Sequence, residues 1–190
     1  MTKIKTVAVY LGSRTGAGRK YVENAYRLGQ LLAKNGIRIV YGGASVGTMK
    51  ALADGTAAAG GHITGVFPAG FKGKKDNADA GIDVGPEGVS LTETIFVKDI
   101  AERIATMENL ADAMIFLPGS FGTMTEAFSW MEEWQLGYHT KPAFILNTDG
   151  YYDGLLSQFA KMIDEGFMDG CDMEHLSACA TPEELVAKLS

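Results

Sequence analysis

Seven short strand-like runs alternate with segments of helical periodicity along this chain. The strand-like runs cover residues 6–11, 37–41, 62–67, 90–97, 113–117, 142–147 and, more weakly, 176–180. Most are continuously apolar rather than alternating apolar with polar. A strand of that kind is buried on both faces, which is the situation of a parallel sheet covered by helices on each side. Between the runs, residues 21–34 place Val22, Ala25, Leu28, Leu31 and Leu32 on one helical face. Further helices are predicted over residues 47–59, from a cap at Asp99 to Leu110, from the glycine-rich turn after residue 117 to near Leu136, and over residues 151–165. Thr181 followed by Pro182 reads as the cap and first position of a last helix. The predicted fold class is therefore α/β, a doubly wound (Rossmann-like) parallel sheet with helices on both faces, in one domain spanning residues 1–190. Residues 69–88, rich in glycine and charge, read as a mobile loop and a candidate lid.

The chain has 190 residues and a formal net charge of −6. That length is enough for one substantial core, and the acidic balance argues against a broad nucleic-acid surface or an anionic-membrane binder. No apolar run approaches the roughly 20 residues that span a bilayer, and the N-terminus lacks a signal-peptide pattern. A soluble, cytoplasmic protein is expected, with no membrane and no nucleic-acid partner. Cys171 and Cys179 stand outside any CxxC or Cys/His cluster, and His62, His139 and His175 show no metal-ligand spacing, so no metal is expected. Phe128, Trp130, Trp134 and Tyr138 have helical spacing and fit core packing or a subunit contact.

Ligands of doubly wound sheets bind beyond the carboxyl ends of the strands, where the strand order reverses. Four such ends carry turn-forming sequence: Gly12-Ser13, Gly42-Gly43, Pro68 and Pro118-Gly119. They should crowd around one crevice. The first turn lacks GxGxxG spacing and no acidic residue ends the second strand, which disfavours a dinucleotide; no GxxxxGK[ST] occurs. The most informative stretch is Pro118-Gly119-Ser120-Phe121-Gly122-Thr123-Met124-Thr125-Glu126. It is a strand, a glycine-rich turn and a helix start in succession. The unpaired N–H groups and the dipole of a helix start favour a phosphate, and Glu126 follows about one turn later. An anion site beside a carboxylate suggests chemistry on a phosphorylated small molecule. The turn Gly42-Gly43-Ala44-Ser45-Val46-Gly47-Thr48-Met49 opens a second helix in the same manner. No Ser-His-Asp or Cys-His set stands out, and no lysine is singled out for a Schiff base with pyridoxal phosphate.

The stretch PGSFGTMTE resembles the PGGxGTxxE signature of the lonely-guy (LOG) family, cytokinin riboside 5′-monophosphate phosphoribohydrolases formerly described as possible lysine decarboxylases. Residues 9–13, residues 40–49 beside the family's YGGGxxGLM turn, and residues 134–142 and 147–153 are also similar, so the resemblance covers nearly the whole chain. It implies cleavage of the N-glycosidic bond of adenosine 5′-monophosphate, or of an N6-substituted, cytokinin-type AMP, to free base and ribose 5-phosphate. It also implies a homodimer, no cofactor, and a catalytic pair that falls on Arg103 and Glu126. Substrate and phosphate contacts are expected from Gly12, Ser13, Gly42, Gly43, Gly47, Met49, Pro118, Gly119, Ser120, Phe121, Gly122 and Thr123. Glu126 would stabilise the cationic sugar, activate water or bond transiently to it; Arg103 would orient Glu126 or hold ribose and phosphate oxygens. No second carboxylic acid stands out to protonate the leaving base.

Four residues depart from the family pattern. Ser120 replaces a glycine, which would strain the loop if that position needed positive φ. Ala44 replaces another glycine, Lys50 follows Met49 where glycine is common, and Ile104 follows Arg103 where lysine is usual. Lys50 is expected to serve in part as a phosphate partner in place of the missing cation at 104. A non-catalytic binding module of the same fold, such as a molybdenum cofactor carrier-like protein, is the alternative; it would not require the Arg/Glu pair. A lysine decarboxylase has no support in the residues.

Overall fold

The computed structural model describes residues 4–69 and 90–189. Its centre is a seven-stranded, all-parallel sheet in the order β4-β3-β2-β1-β5-β6-β7. The strands are β1 (Thr6–Tyr10), β2 (Arg38–Tyr41), β3 (Ile63–Pro68), β4 (Glu93–Val97), β5 (Ala113–Phe116), β6 (Ala143–Leu146) and β7 (Leu176–Cys179). The helices are α1 (Arg19–Lys34), α2 (Gly47–Ala58), α3 (Ile100–Leu110), α4 (Phe121–Gln135), α5 (Asp153–Asp164) and α6 (Pro182–Lys188). All seven expected strands form, and the alternation of strand and helix holds along the described residues. The predicted loop at 69–88 lies almost wholly outside those residues.

Two cores flank the sheet. Val7, Val9, Ile39, Ile63 and Ile115 point to one face, where Leu28 and Leu32 of α1, Leu52 of α2 and Leu185 of α6 cover them. Ala8, Tyr10, Val40, Val66 and Phe116 point to the other, beneath Met107 of α3, Ala127 and Trp130 of α4, and Leu155 and Leu156 of α5. Neighbouring residues of one strand thus feed opposite cores, which is why the strands read as continuous apolar runs. On the first face α1 and α2 come into backbone contact. A Cβ on Gly29 would sit 2.4 Å from the Leu52 carbonyl, and one on Gly55 would sit 2.0 Å from that of Tyr26.

Both predicted caps form. The Asp99 carboxylate accepts from the Glu102 N–H at 2.9 Å, and the Glu102 carboxylate accepts from the Lys98 N–H, one residue before the cap, at 2.6 Å. Thr181 Oγ1 accepts from the Glu184 N–H at 3.2 Å, with Pro182 in the first turn. The segment before α5 differs from the expected helix over 151–165. Thr148–Gly150 forms a 3-10 turn with Asp149 at φ 55°, and α5 begins only at Asp153. The strand order reverses between β1 and β5, and there the crevice opens.

Candidate active site

Three turns meet at the carboxyl ends of β1, β2 and β5. The turns after β1 and β5 are tied together directly: the Leu117 N–H donates to the Tyr10 carbonyl at 2.9 Å and the Gly12 N–H to the Pro118 carbonyl at 3.2 Å. Thr48, at the start of α2, donates from Oγ1 to the Gly12 carbonyl at 2.7 Å. The result is a crevice of about 300 Å³. Neither helix that opens on it has a side-chain cap: Ser120 before α4 and Val46 before α2 make no cap hydrogen bond. The first N–H groups of α4 and α2 are therefore unpaired within their helices, and they bring two positive helix ends to one cavity. Two such ends beside one cavity are a site for an anion.

Arg103 and Glu126 meet in this crevice. The Asp99 cap fixes the start of α3, and Arg103 stands on its first turn. Arg103 Nη2 donates to Glu126 Oε1 at 2.6 Å. The Glu126 side chain is 7% exposed and that of Arg103 16%. Burial pushes the Glu126 carboxyl up to about 7, against the charge and hydrogen bond of Arg103, which pull it down. Arg103 Nε is buried with no partner among the described residues. Among the described residues that line the crevice, these two carry the charge.

Most of the expected contact residues converge here. Gly12, Ser13, Gly42 and Met49 line the crevice from one side, and Ser120, Gly122 and Thr123 from the other. Pro118 and Gly119 line a smaller cavity of about 180 Å³ that shares Gly12, Ser13 and Ser120 with the first. Three residues stand elsewhere. Gly43 (φ 81°) and Gly47 (φ 58°) shape the second turn in left-handed conformations, packed on Phe67 and on the Ser13 backbone, and do not line the crevice. Phe121 does not line it either and is 91% exposed.

The departures from the family pattern now have places. Ser120 has φ −112°, an ordinary value for any residue, so serine brings no backbone strain to the loop. Lys50 is held on its own helix: Nζ donates to both Asp54 carboxylate oxygens at 2.9 and 2.7 Å, and Lys50 does not line the crevice. The expectation that it faces a phosphate is therefore corrected, because a carboxylate one turn away neutralises it first. Ile104 is buried on α3.

The crevice also has apolar walls. Leu11, Ala44, Phe67 and Pro68 give it an apolar side. Phe67 packs at a tilt against Phe96 of the neighbouring strand, with ring centroids 6.0 Å apart. Pro68 is expected here as a turn-forming strand end and Ala44 lies in the second turn, whereas nothing in the sequence distinguishes Phe67, because an apolar strand end signals only burial. A larger groove, about 560 Å³, runs between α4 and α5 and is lined by Phe128, Trp134, Met162 and Phe167; it lies apart from the Arg103–Glu126 pair.

Residues 49–189 match the family model described as "Possible lysine decarboxylase". A cytokinin riboside 5′-monophosphate phosphoribohydrolase of Rhodococcoides fascians is 36% identical over 97% of this chain and 89% of its own length. One from Arabidopsis thaliana is 35% identical over 99% of this chain and 78% of its own. Among solved structures, the molybdenum cofactor binding protein of Rippkaea orientalis superposes with a TM-score of 0.70 over 100% of this chain and 97% of its own, at 22% identity. A molybdenum cofactor carrier protein of Chlamydomonas reinhardtii gives 0.69 over 97% of this chain and 94% of its own, at 18%. Likeness at that identity speaks for the fold alone, whereas the family match and the full-length relatives speak for descent: the chain belongs to the lonely-guy family, whose model carries the older lysine decarboxylase description.

Proposed function

We propose that this protein is an N-glycosidase that hydrolyses nucleoside 5′-monophosphates of the AMP type, including N6-substituted, cytokinin-like ones, to free base and ribose 5-phosphate. The observation that carries this reading is the buried Arg103–Glu126 pair in a crevice faced by two uncapped helix starts. The names of the full-length relatives point to the same reaction.

The chemistry follows from the geometry. The phosphate takes the N–H groups at the start of α4 and α2, and this anchors the ribose. The C1′–N9 bond breaks with its electron pair leaving on the purine, so positive charge grows on the ribose. Glu126 is the carboxylate at hand to stabilise that charge. Water then supplies its oxygen to C1′ and a proton to the base. Arg103 orients Glu126 through Nη2 and lines the crevice within reach of a ribose or phosphate oxygen. The apolar wall of Leu11, Phe67 and Pro68 suits a flat base.

The reading extends to the partners. A small nucleotide is the ligand, and the net charge of −6 supports it over a nucleic acid. No helix of the described residues is long and apolar enough to cross a membrane. Homodimerisation is supported by the exposed apolar side chains of Phe128, Leu136 and Tyr138 on and after α4. A cytoplasmic location and action as one domain complete the proposal.

The deciding experiment incubates purified protein with AMP, isopentenyl-AMP, GMP and CMP and measures free base by chromatography. Release from the adenine nucleotides, abolished in Glu126→Gln, is expected. No release from any of them, with wild type and Glu126→Gln alike, would sink the enzyme and leave the carrier-like alternative.

A further inference from the structure

The segment Asn147–Asp153, singled out in the sequence as a motif, has no part in the chemistry above. In the structure it reaches back to the turn after β5. Tyr152 Oη donates to the Leu117 carbonyl at 2.6 Å, and Tyr151 Oη donates to the Gly119 carbonyl at 2.5 Å. The carbonyl between them, on Pro118, accepts from the Gly12 N–H at 3.2 Å. Three consecutive carbonyls of one loop are thus each held by a different donor.

This matters because of what the loop must present. A peptide is planar, and in the trans form its C=O and the following N–H point in opposite directions. The peptides of the described residues are trans. Fixing the Pro118 and Gly119 carbonyls therefore fixes the Gly119 and Ser120 N–H groups on the opposite side. A carbonyl oxygen turned toward a phosphate would repel it; an N–H attracts it. Tyr151 and Gly119 both line the smaller cavity beside the crevice, so the Gly119 carbonyl is committed there.

The two tyrosines are themselves held firmly. The Asn147 side chain accepts from the Tyr152 N–H at 2.7 Å and donates to Asp153 at 2.7 Å. Asn24 of α1 donates to Thr148 Oγ1 at 2.9 Å, and Lys20 of α1 pairs with Asp149. Tyr21 packs edge-on against Tyr151, and Tyr151 against Tyr152. Tyr152 is 2% exposed, and burial pushes its hydroxyl well above the usual range, so it stays a donor.

We infer that Tyr151 and Tyr152 are positioning residues that lock the carbonyls of residues 117 and 119 away from the crevice, so that the loop offers a substrate phosphate N–H groups alone. The inference rests on the reaction proposed above for its substrate but not for its geometry.

Tyr151→Phe removes one hydroxyl and keeps the ring against Tyr21 and Tyr152. It should raise KM for AMP about tenfold, the effect of one lost hydrogen bond, with kcat within about twofold. The preference for AMP over adenosine, which lacks the phosphate, should fall by the same factor. Ribose 5-phosphate binding, followed by calorimetry without any turnover, should weaken in parallel. Tyr152→Phe should act in the same direction, and its thermal melt separates loss of fold from loss of binding. Equal losses on AMP and adenosine, or unchanged ribose 5-phosphate affinity in Tyr151→Phe, would overturn the inference, as would failure of wild type to bind ribose 5-phosphate. Wild-type binding without cleavage would count against the reaction alone, and the comparison of affinities would still decide the role of Tyr151.

Discussion

A Cβ on Gly42 would sit 2.9 Å from Nη2 of Arg103, so the bare glycine backbone and the guanidinium occupy one shared volume beside Glu126. The strand end of β2 is thereby built around the arginine of α3. Gly42→Ala should leave the fold intact, because the clash falls on the end of a flexible side chain. It should displace the guanidinium from Glu126 and lower kcat/KM for AMP by about 10- to 100-fold, the range expected of a misplacement near 1 Å. Kinetics beside a circular dichroism melt check this; wild-type kinetics would show that the ion pair tolerates the shift.

The Glu126 carboxyl, pushed up to about 7 by burial, gives the proposed reaction a pH dependence. Only the carboxylate can stabilise a cationic ribose. Below its pKa the active fraction falls about tenfold per pH unit, and above it the rate levels. Initial rates between pH 5 and 9 at saturating and low AMP should show this limb. A flat profile from pH 5 to 7 would mean that Arg103 outweighs burial and keeps Glu126 ionised throughout.

Ser120→Gly restores the residue that the family signature has at this position. Ser120 already takes a negative φ and its side chain caps nothing. The substitution should therefore change unfolding free energy by no more than about 0.5 kcal/mol and kcat/KM by no more than about threefold. Urea unfolding and steady-state kinetics test both; a large gain in activity would mean that the serine hydroxyl obstructs the loop.

The layer order and most element bounds were legible because burial on two faces writes itself into each strand. Asp99 and Thr181 announced their helices, since capping is a local interaction between residues three apart. The meeting of Arg103 and Glu126 was legible only through family resemblance. They stand 23 positions apart on different helices, and their contact depends on how α3 and α4 lie on the sheet. Tyr151 and Tyr152 lie within the family-like stretch 147–153, yet hydrogen bonds to carbonyls 32 and 35 residues away leave no local trace. Lys50 erred the other way. Its i,i+4 spacing to Asp54 was visible in the sequence, and the two residues pair on α2 away from the crevice lining.

Glu108 tests the electrostatics of the α3–α4 face independently of catalysis. It is buried, and its Oε1 has no partner among the described residues. Burial, then repulsion from Glu133 and more weakly from Glu126, pushes its carboxyl up to about 7 against the opposing charge of Lys141. The Tyr10 hydroxyl faces the same group from β1, and His139 lies near Glu133 and Lys141. The folded state then holds a proton between pH about 4.5 and 7 that the unfolded chain has given up. Where the folded state binds more protons, stability falls as pH rises, so this contribution is present at pH 4.5 and lost above 7. Glu108→Gln cannot ionise and should escape the loss. Relative to wild type it should gain on the order of 1 kcal/mol on going from pH 5 to pH 8, measured by urea unfolding at both. Some slope should survive in the variant, because Glu126 titrates with the same sign. Parallel pH dependence in wild type and variant would show that Glu108 is ionised in the folded protein at pH 5.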